Sequence, residues 1–225
     1  MRTGKHFLVD FLGLQDDCKM QRDFPAYILR GAIEDMKINS FLEKPSPSQR
    51  QKILYRLKKA YNFIGKEMAP IKDFTNLKEL YDLSMSIFGE HKVVGTNVAR
   101  LGDGLPNFVE ETDAYVIYVC RDMRDILLSA KKGFTNYNLM RHLVTLEMDL
   151  KNALSIRNER FLMIKFEDLM TKPKEICDKV SKFLGIKIDV NRTEKKSSDT
   201  YVSYFKDVKK DFDPIACFRW KNHLN

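Results

Sequence analysis

Three short stretches of the chain are apolar without the usual alternation of polar positions: Val93-Val94, Val116-Ile117-Tyr118-Val119 and Phe161-Leu162-Met163-Ile164. Runs of β-branched and aromatic side chains of this length belong to strands buried on both faces of a parallel sheet. Around them, apolar positions recur at helical spacing. Phe7, Leu8, Phe11, Leu12 and Leu14 predict a helix opening near Lys5. Further helices are predicted over 24–41, with Pro25 tolerated in the first turn, over 51–68, 75–88 and 136–156, and from Pro173 to Leu184. Gly185 stands where a C-terminal helix cap belongs. Residues 15–23 read as a polar loop, 43–49 as a Pro/Ser linker, and 101–111 as a loop or short helix. Strands that alternate with helices predict an α/β fold, a parallel sheet with helices packed on its faces.

Composition narrows the classes of partner. The 225 residues are 44% hydrophobic, enough for one sizeable core, so a single domain over 1–225 is expected. The net charge of +8 favours anionic ligands in general. No long Lys/Arg run and no interleaving of aromatic with basic residues points to a nucleic acid. Cys18, Cys120, Cys177 and Cys217 have neither zinc-ligand nor disulfide-framework spacing, which predicts no metal and a reducing, cytoplasmic setting. No segment reads as a membrane span or a signal-peptide core.

Candidate chemistry sits where apolar runs stop. The stretch Ala114–Ser129, AYVIYVCRDMRDILLS, is a buried strand that inverts to Arg121-Asp122-Met123-Arg124-Asp125 and resumes as a helix. That puts cationic side chains at the carboxyl edge of a sheet, where open α/β folds bind ligands. The competing reading of Arg121 and Arg124 is ion pairing with Asp122 and Asp125. At the start of the chain, Arg2-Thr3-Gly4 precedes the first helix. A basic residue, a hydroxyl and a glycine before free helix N–H groups make a small phosphate cradle. The strand that normally leads into such a loop does not appear before Arg2.

Taken in order, R-T-G, then C-R-D-M-R-D-I-L-L-S, then K-F-E-D-L-M-T-K-P with a helix ending F-L-G, the chain resembles the sulfotransferases that use 3′-phosphoadenosine 5′-phosphosulfate (PAPS), of the cytosolic and bacterial carbohydrate types. The terminal W-K-N-H-L is similar to a segment near the end of cytosolic members. The resemblance implies a three-layer P-loop-NTPase-like fold with a central parallel sheet, its first strand missing here. Residues 24–90 would form a helical acceptor side, and 186–225 a basic cover loop.

It also implies roles. Arg2 falls on the basic loop residue that stabilises charge on the departing phosphosulfate bridge. Thr3, Gly4, Lys5 and His6 fall on the rest of that loop, although Lys5 and His6 stand where threonines are expected. Arg121 and Ser129 fall on the ligands of the 3′-phosphate, and Phe166 on a tyrosine beside the adenine. The chemistry agrees, since sulfuryl transfer spreads negative charge that fixed cations and N–H dipoles stabilise, and a guanidinium fork suits a phosphate. The family's R-K-G segment around the 3′-phosphate is absent, with Lys195-Lys196 or Lys209-Lys210 as substitutes. For the base, Asn97 in Gly95-Thr96-Asn97 takes the place of a family histidine and cannot accept a proton. Asp23 matches the carboxylate that carbohydrate-type members use; its competing role is a helix N-cap. His6 and His91 are weaker alternatives.

The expected activity is transfer of a sulfuryl group from PAPS to a hydroxyl of a carbohydrate or small molecule (EC 2.8.2 type). Two alternatives stay open: a catalytically impaired or truncated relative that binds a nucleotide or another anion, and a P-loop small-molecule kinase, which the missing G-x-x-x-x-G-K-[ST] disfavours.

Overall fold

The computed structural model of the protein describes residues 4–22, 26–63, 73–86, 88–98, 101–133, 139–192, 212, 214 and 217–222. The N-terminal half runs α1 (Lys5–Leu12), β1 (Cys18–Gln21), α2 (Ala26–Met36), α3 (Pro47–Phe63), α4 (Leu77–Ser86), β2 (Val93–Thr96) and α5 (Gly104–Glu111). Then follow β3 (Val116–Cys120), α6 (Met123–Gly133), α7 (Leu139–Ser155), β4 (Phe161–Lys165), α8 (Phe166–Thr171), α9 (Pro173–Leu184) and a 3-10 turn, Arg219–Asn222. No described helix is long and apolar enough to cross a membrane.

The unbroken apolar runs of β3 and β4 are explained by what covers them. The two strands pair in parallel, Val116 opposite Phe161 and Cys120 opposite Lys165. Successive side chains leave opposite faces of a strand. Val116, Tyr118, Phe161 and Met163 pack on a cluster built from α2–α5 and α7, around Ile28, Leu57, Tyr61 and Phe108. Ile117, Val119, Leu162 and Ile164 pack on the other cluster, built from α1, α8 and α9 around Phe11, Leu169 and Val180. Helices therefore cover both faces of a parallel sheet, the three-layer α/β arrangement expected. The strands form two parallel pairs, β1 with β2 (Cys18 opposite Val93, Gln21 opposite Thr96) and β3 with β4; among the described residues β2 and β3 are not hydrogen-bonded to each other.

Several boundaries differ from the periodicity, each for a local reason. Residues 15–23, expected to be a loop, contain β1. Buried Gln15 sets its start, donating to the Phe11 carbonyl (3.2 Å) and accepting the Asp189 N–H (2.8 Å). The helix expected over 24–41 ends at Met36, where Lys37 turns to φ 57° and the Ile38 N–H bonds back to the Ala32 carbonyl at 3.2 Å. Helix α3 begins inside the expected linker because Ser46-Pro47-Ser48-Gln49 is a capping box. The Ser46 N–H meets Gln49 Oε1 at 2.7 Å and the Gln49 N–H meets Ser46 Oγ at 3.4 Å. Gly185 does cap α9, with φ 65°.

Candidate functional site

The register of β3 and β4 puts two chain segments side by side at the carboxyl edge. β3 ends at Cys120, opposite Lys165 at the end of β4. The next residues, Arg121 and Phe166, meet there, the Arg121 guanidinium carbon 4.4 Å from the Phe166 ring centroid. The loop after β3 is tied down from α8, where Glu167 Oε1 accepts the Asp122 N–H at 2.9 Å.

Gly4 reaches the same ring from the start of the chain. It caps α1 with φ 95°, and a β-carbon there would overlap Phe166. Both its left-handed backbone and this close approach require glycine. Lys5 and His6 follow, supplying helix N–H groups that have no intrahelical acceptor. Gly4, Phe166 and Arg121 are thus brought together across 162 positions of sequence, and α1 opens where the cationic strand end lies.

A third segment closes on this edge. Asp125, in the first turn of α6 and fully buried, accepts the Phe218 N–H at 2.7 Å and the Trp220 N–H at 3.2 Å. That grip holds Phe218 at φ 58°, a conformation a bulky residue adopts only when its surroundings enforce it. Asp125 Oδ2 lies 3.7 Å from Arg121 Nη2, longer than a hydrogen bond. The 3-10 turn then sets Arg219 beside Arg121. Burial lowers the proton affinity of Arg121, the Arg219 cation lowers it further, and Asp125 opposes both. Arg219 Nε is buried without a hydrogen-bond partner among the described residues. Two guanidinium groups converging in a largely desolvated spot are costly unless an anion joins them. Beneath them, burial pushes the Cys217 thiol up to about 11, with the Glu167 charge a smaller cause.

Arg124 behaves differently. It is exposed, paired with Asp122 at 2.6 Å, and its guanidinium carbon lies 3.4 Å from the Trp220 ring centroid. Ion pairing therefore accounts for Arg124, while Arg121 is turned into the buried cluster.

Ser129 lies on α6, one helical turn beyond Asp125, and its side chain is outside the described residues, as are Arg2, Thr3 and Asp23. His91 precedes β2 at the amino end of that strand, away from the carboxyl edge, and Asn97 follows the strand's carboxyl end, buried. Arg219 and Asp125 were not among the expected site residues. The signal for Arg219 was its place in R-W-K-N, next to a recognisable aromatic. The substitutes expected for R-K-G, Lys195-Lys196 and Lys209-Lys210, lie outside the described residues.

Comparison with known proteins bears on the fold and the family. The structure is similar to a sulfotransferase domain from the curacin biosynthetic pathway, with a TM-score of 0.59 and 16% identity, over 98% of this chain and 87% of that one. At that identity the likeness speaks to the fold alone. Among curated proteins there is no match. A family model described as the sulfotransferase domain matches residues 101–213, half of the chain, including both β3–α6 and β4–α8–α9. On that match the chain belongs to the sulfotransferase domain family.

Proposed function

We propose that the protein transfers a sulfuryl group from PAPS to the hydroxyl of a carbohydrate or small-molecule acceptor. The observation that carries this reading is the convergence of Arg121 and Arg219 at the end of β3, beside Phe166 and the glycine-capped start of α1. A 3′-phosphate is the part of PAPS that such a guanidinium pair fits, since each fork presents parallel N–H donors to phosphate oxygens. Phe166 offers an apolar surface near the base. The α1 N-terminus, with Gly4, Lys5 and His6, is proposed for the phosphosulfate end, together with Arg2 and Thr3.

When bound, PAPS supplies the activated sulfuryl group. The chain's own contribution is to hold charge: Arg2 and the α1 amides offset the negative charge that grows on the bridging oxygen, a form of fixed-dipole stabilisation. Asp23 is proposed to accept the proton of the acceptor hydroxyl.

The test is sulfuryl transfer from radiolabelled PAPS to a panel of sugar and phenolic hydroxyls, with ATP as the competing donor. Labelled product that disappears in Asp23→Asn while nucleotide binding persists supports the reading. Nucleotide binding with no transfer to any acceptor supports a non-catalytic relative, and phosphoryl transfer from ATP overturns the proposal.

A further inference from the structure

Helix α7 carries two seams. Leu146, Asp149, Ala153 and Ile156 are buried, and Ala153 and Ile156 belong to the core around Tyr61. A helix that covers a core in this way normally turns polar residues to the other side. Here Met140, Val144, Met148 and Leu154 stand out instead, 66%, 52%, 44% and 54% exposed. At 3.6 residues per turn, these four and the charged pair Glu147 and Lys151 fall within one arc of about 120°. Four apolar side chains gathered on one face make a patch, unlike the scattered single residues that a surface tolerates.

The patch has an internal order. Val144, Glu147, Lys151 and Leu154 follow one another at spacings of three, four and three, the spacing of a seam that faces a second helix. Met148 flanks this seam and Met140 prolongs it. The two charges occupy its middle, with an apolar position at either end. They are of opposite sign and meet within the helix at 2.7 Å, an exposed pair that by itself adds little to the helix. Laid in parallel against a second copy, the seam would set Glu147 against Glu147 and Lys151 against Lys151. Laid antiparallel, it sets Glu147 of one copy against Lys151 of the other, and Val144 against Leu154, each contact made twice. Both pairs close in one register because they share a midpoint, residue 149.

We infer that the exposed face of α7 is the contact of a symmetric homodimer, two copies of the helix packed antiparallel about residue 149. A two-fold contact requires a surface complementary to itself, and this face meets that condition in its charges and in its apolar positions. The stems of Glu147 and Lys151 cover Met148 near the axis while their charged ends reach across it. A single helix pair covers less than the roughly 800 Å² per partner of a standard interface, so the dimer is weak, with a dissociation constant on the order of 10 to 100 μM. The inference uses no residue of the proposed nucleotide site and stands or falls without it.

Sedimentation equilibrium of the full chain, between about 5 and 500 μM, should pass from monomer to dimer. Glu147→Lys and Lys151→Glu each place like charges across the seam, so each variant should remain monomeric at every concentration. Both positions are exposed, so the Tm of each variant should stay that of the parent. Mixed in equal amounts, the two variants restore opposite charges and should associate at least tenfold more tightly than either alone. The orientation is read by mild oxidation of Val144→Cys chains mixed with Leu154→Cys chains, the unsubstituted chain serving as the blank. Disulfides between the two kinds of chain support the antiparallel seam, whereas disulfides within one kind overturn it. A parent chain that is monomeric at the highest concentration overturns the inference, as does a dimer indifferent to the charge variants.

Discussion

Arginines 121, 124 and 219 carry the same charge, and their surroundings give them different work. Arg124 has its carboxylate and its aromatic ring at the surface, so its removal should leave nucleotide affinity within about threefold, as for an exposed pair. The Arg219 charge acts on buried Arg121, and each is expected to contribute a charge-assisted bond to a 3′-phosphate. Such bonds are worth about 1.5–3 kcal/mol. Arg121→Ala and Arg219→Ala should each weaken binding of 3′-phosphoadenosine 5′-phosphate by roughly 10- to 100-fold in calorimetric titration, while adenosine 5′-phosphate changes far less. Equal losses for both nucleotides would remove the 3′-phosphate from this site. Cysteines give a second residue-scale expectation. Burial raises Cys18, Cys177 and Cys217 from 9.0 to about 11. The folded chain therefore keeps these thiols neutral where the unfolded chain ionises them. Their contribution to stability is intact below about pH 9 and is lost as pH rises from there through 11. Partly buried Tyr81 and Tyr118, also raised by desolvation, act in the same direction at the upper end of that window. Tm measured between pH 8 and 11 should fall, and a flat profile contradicts the burial of these groups.

At the scale of elements, periodicity recovered what one segment can announce about itself. The apolar strands β3 and β4, the start of α1 and the αL glycine after α9 were all legible, because each is specified by neighbours in sequence. β1 was not, since its four residues, Cys-Lys-Met-Gln, are too few and too mixed to announce a strand, and its strand state comes from pairing with β2, far along the chain. The same holds for the site. Arg121 was legible from a strand that stops at a charge. Arg219 was not, because its place depends on Asp125 accepting two N–H groups, the farther 95 positions away. That dependence can be tested directly. Asp125→Ala leaves the Phe218 and Trp220 N–H groups without this acceptor and removes a buried carboxylate beside Arg121. Breaking a buried pair from one side costs about 3–5 kcal/mol. The 3-10 turn should detach, visible as a red shift in the emission of Trp220, the chain's one tryptophan. If emission and stability are unchanged, Asp125 does not anchor that turn.

The whole molecule places the carboxyl edge of β3 and β4 at the junction of three otherwise separate segments: α1, the β3–β4 pair with α8, and the 3-10 turn. A ligand gripped by Gly4–His6, Arg121 and Arg219 ties these together and binds only the folded chain, so it must raise stability by mass action. At 100 times its dissociation constant the gain is about 2.7 kcal/mol, and for a chain of this size that corresponds to a Tm rise of about 5–10 °C. Two controls separate the terms. Adenosine 5′-phosphate at equal concentration lacks the group that the guanidinium pair receives, and should raise Tm by much less. Raising salt should shrink the effect of the 3′-phosphorylated nucleotide, because the field of a chain with net charge +8 is screened while the buried contacts are screened far less. The shift should therefore fall partway and then level off. A shift abolished by salt would describe loose attraction to a basic surface, and a larger shift with ATP than with the 3′-phosphorylated nucleotide would describe a different nucleotide site.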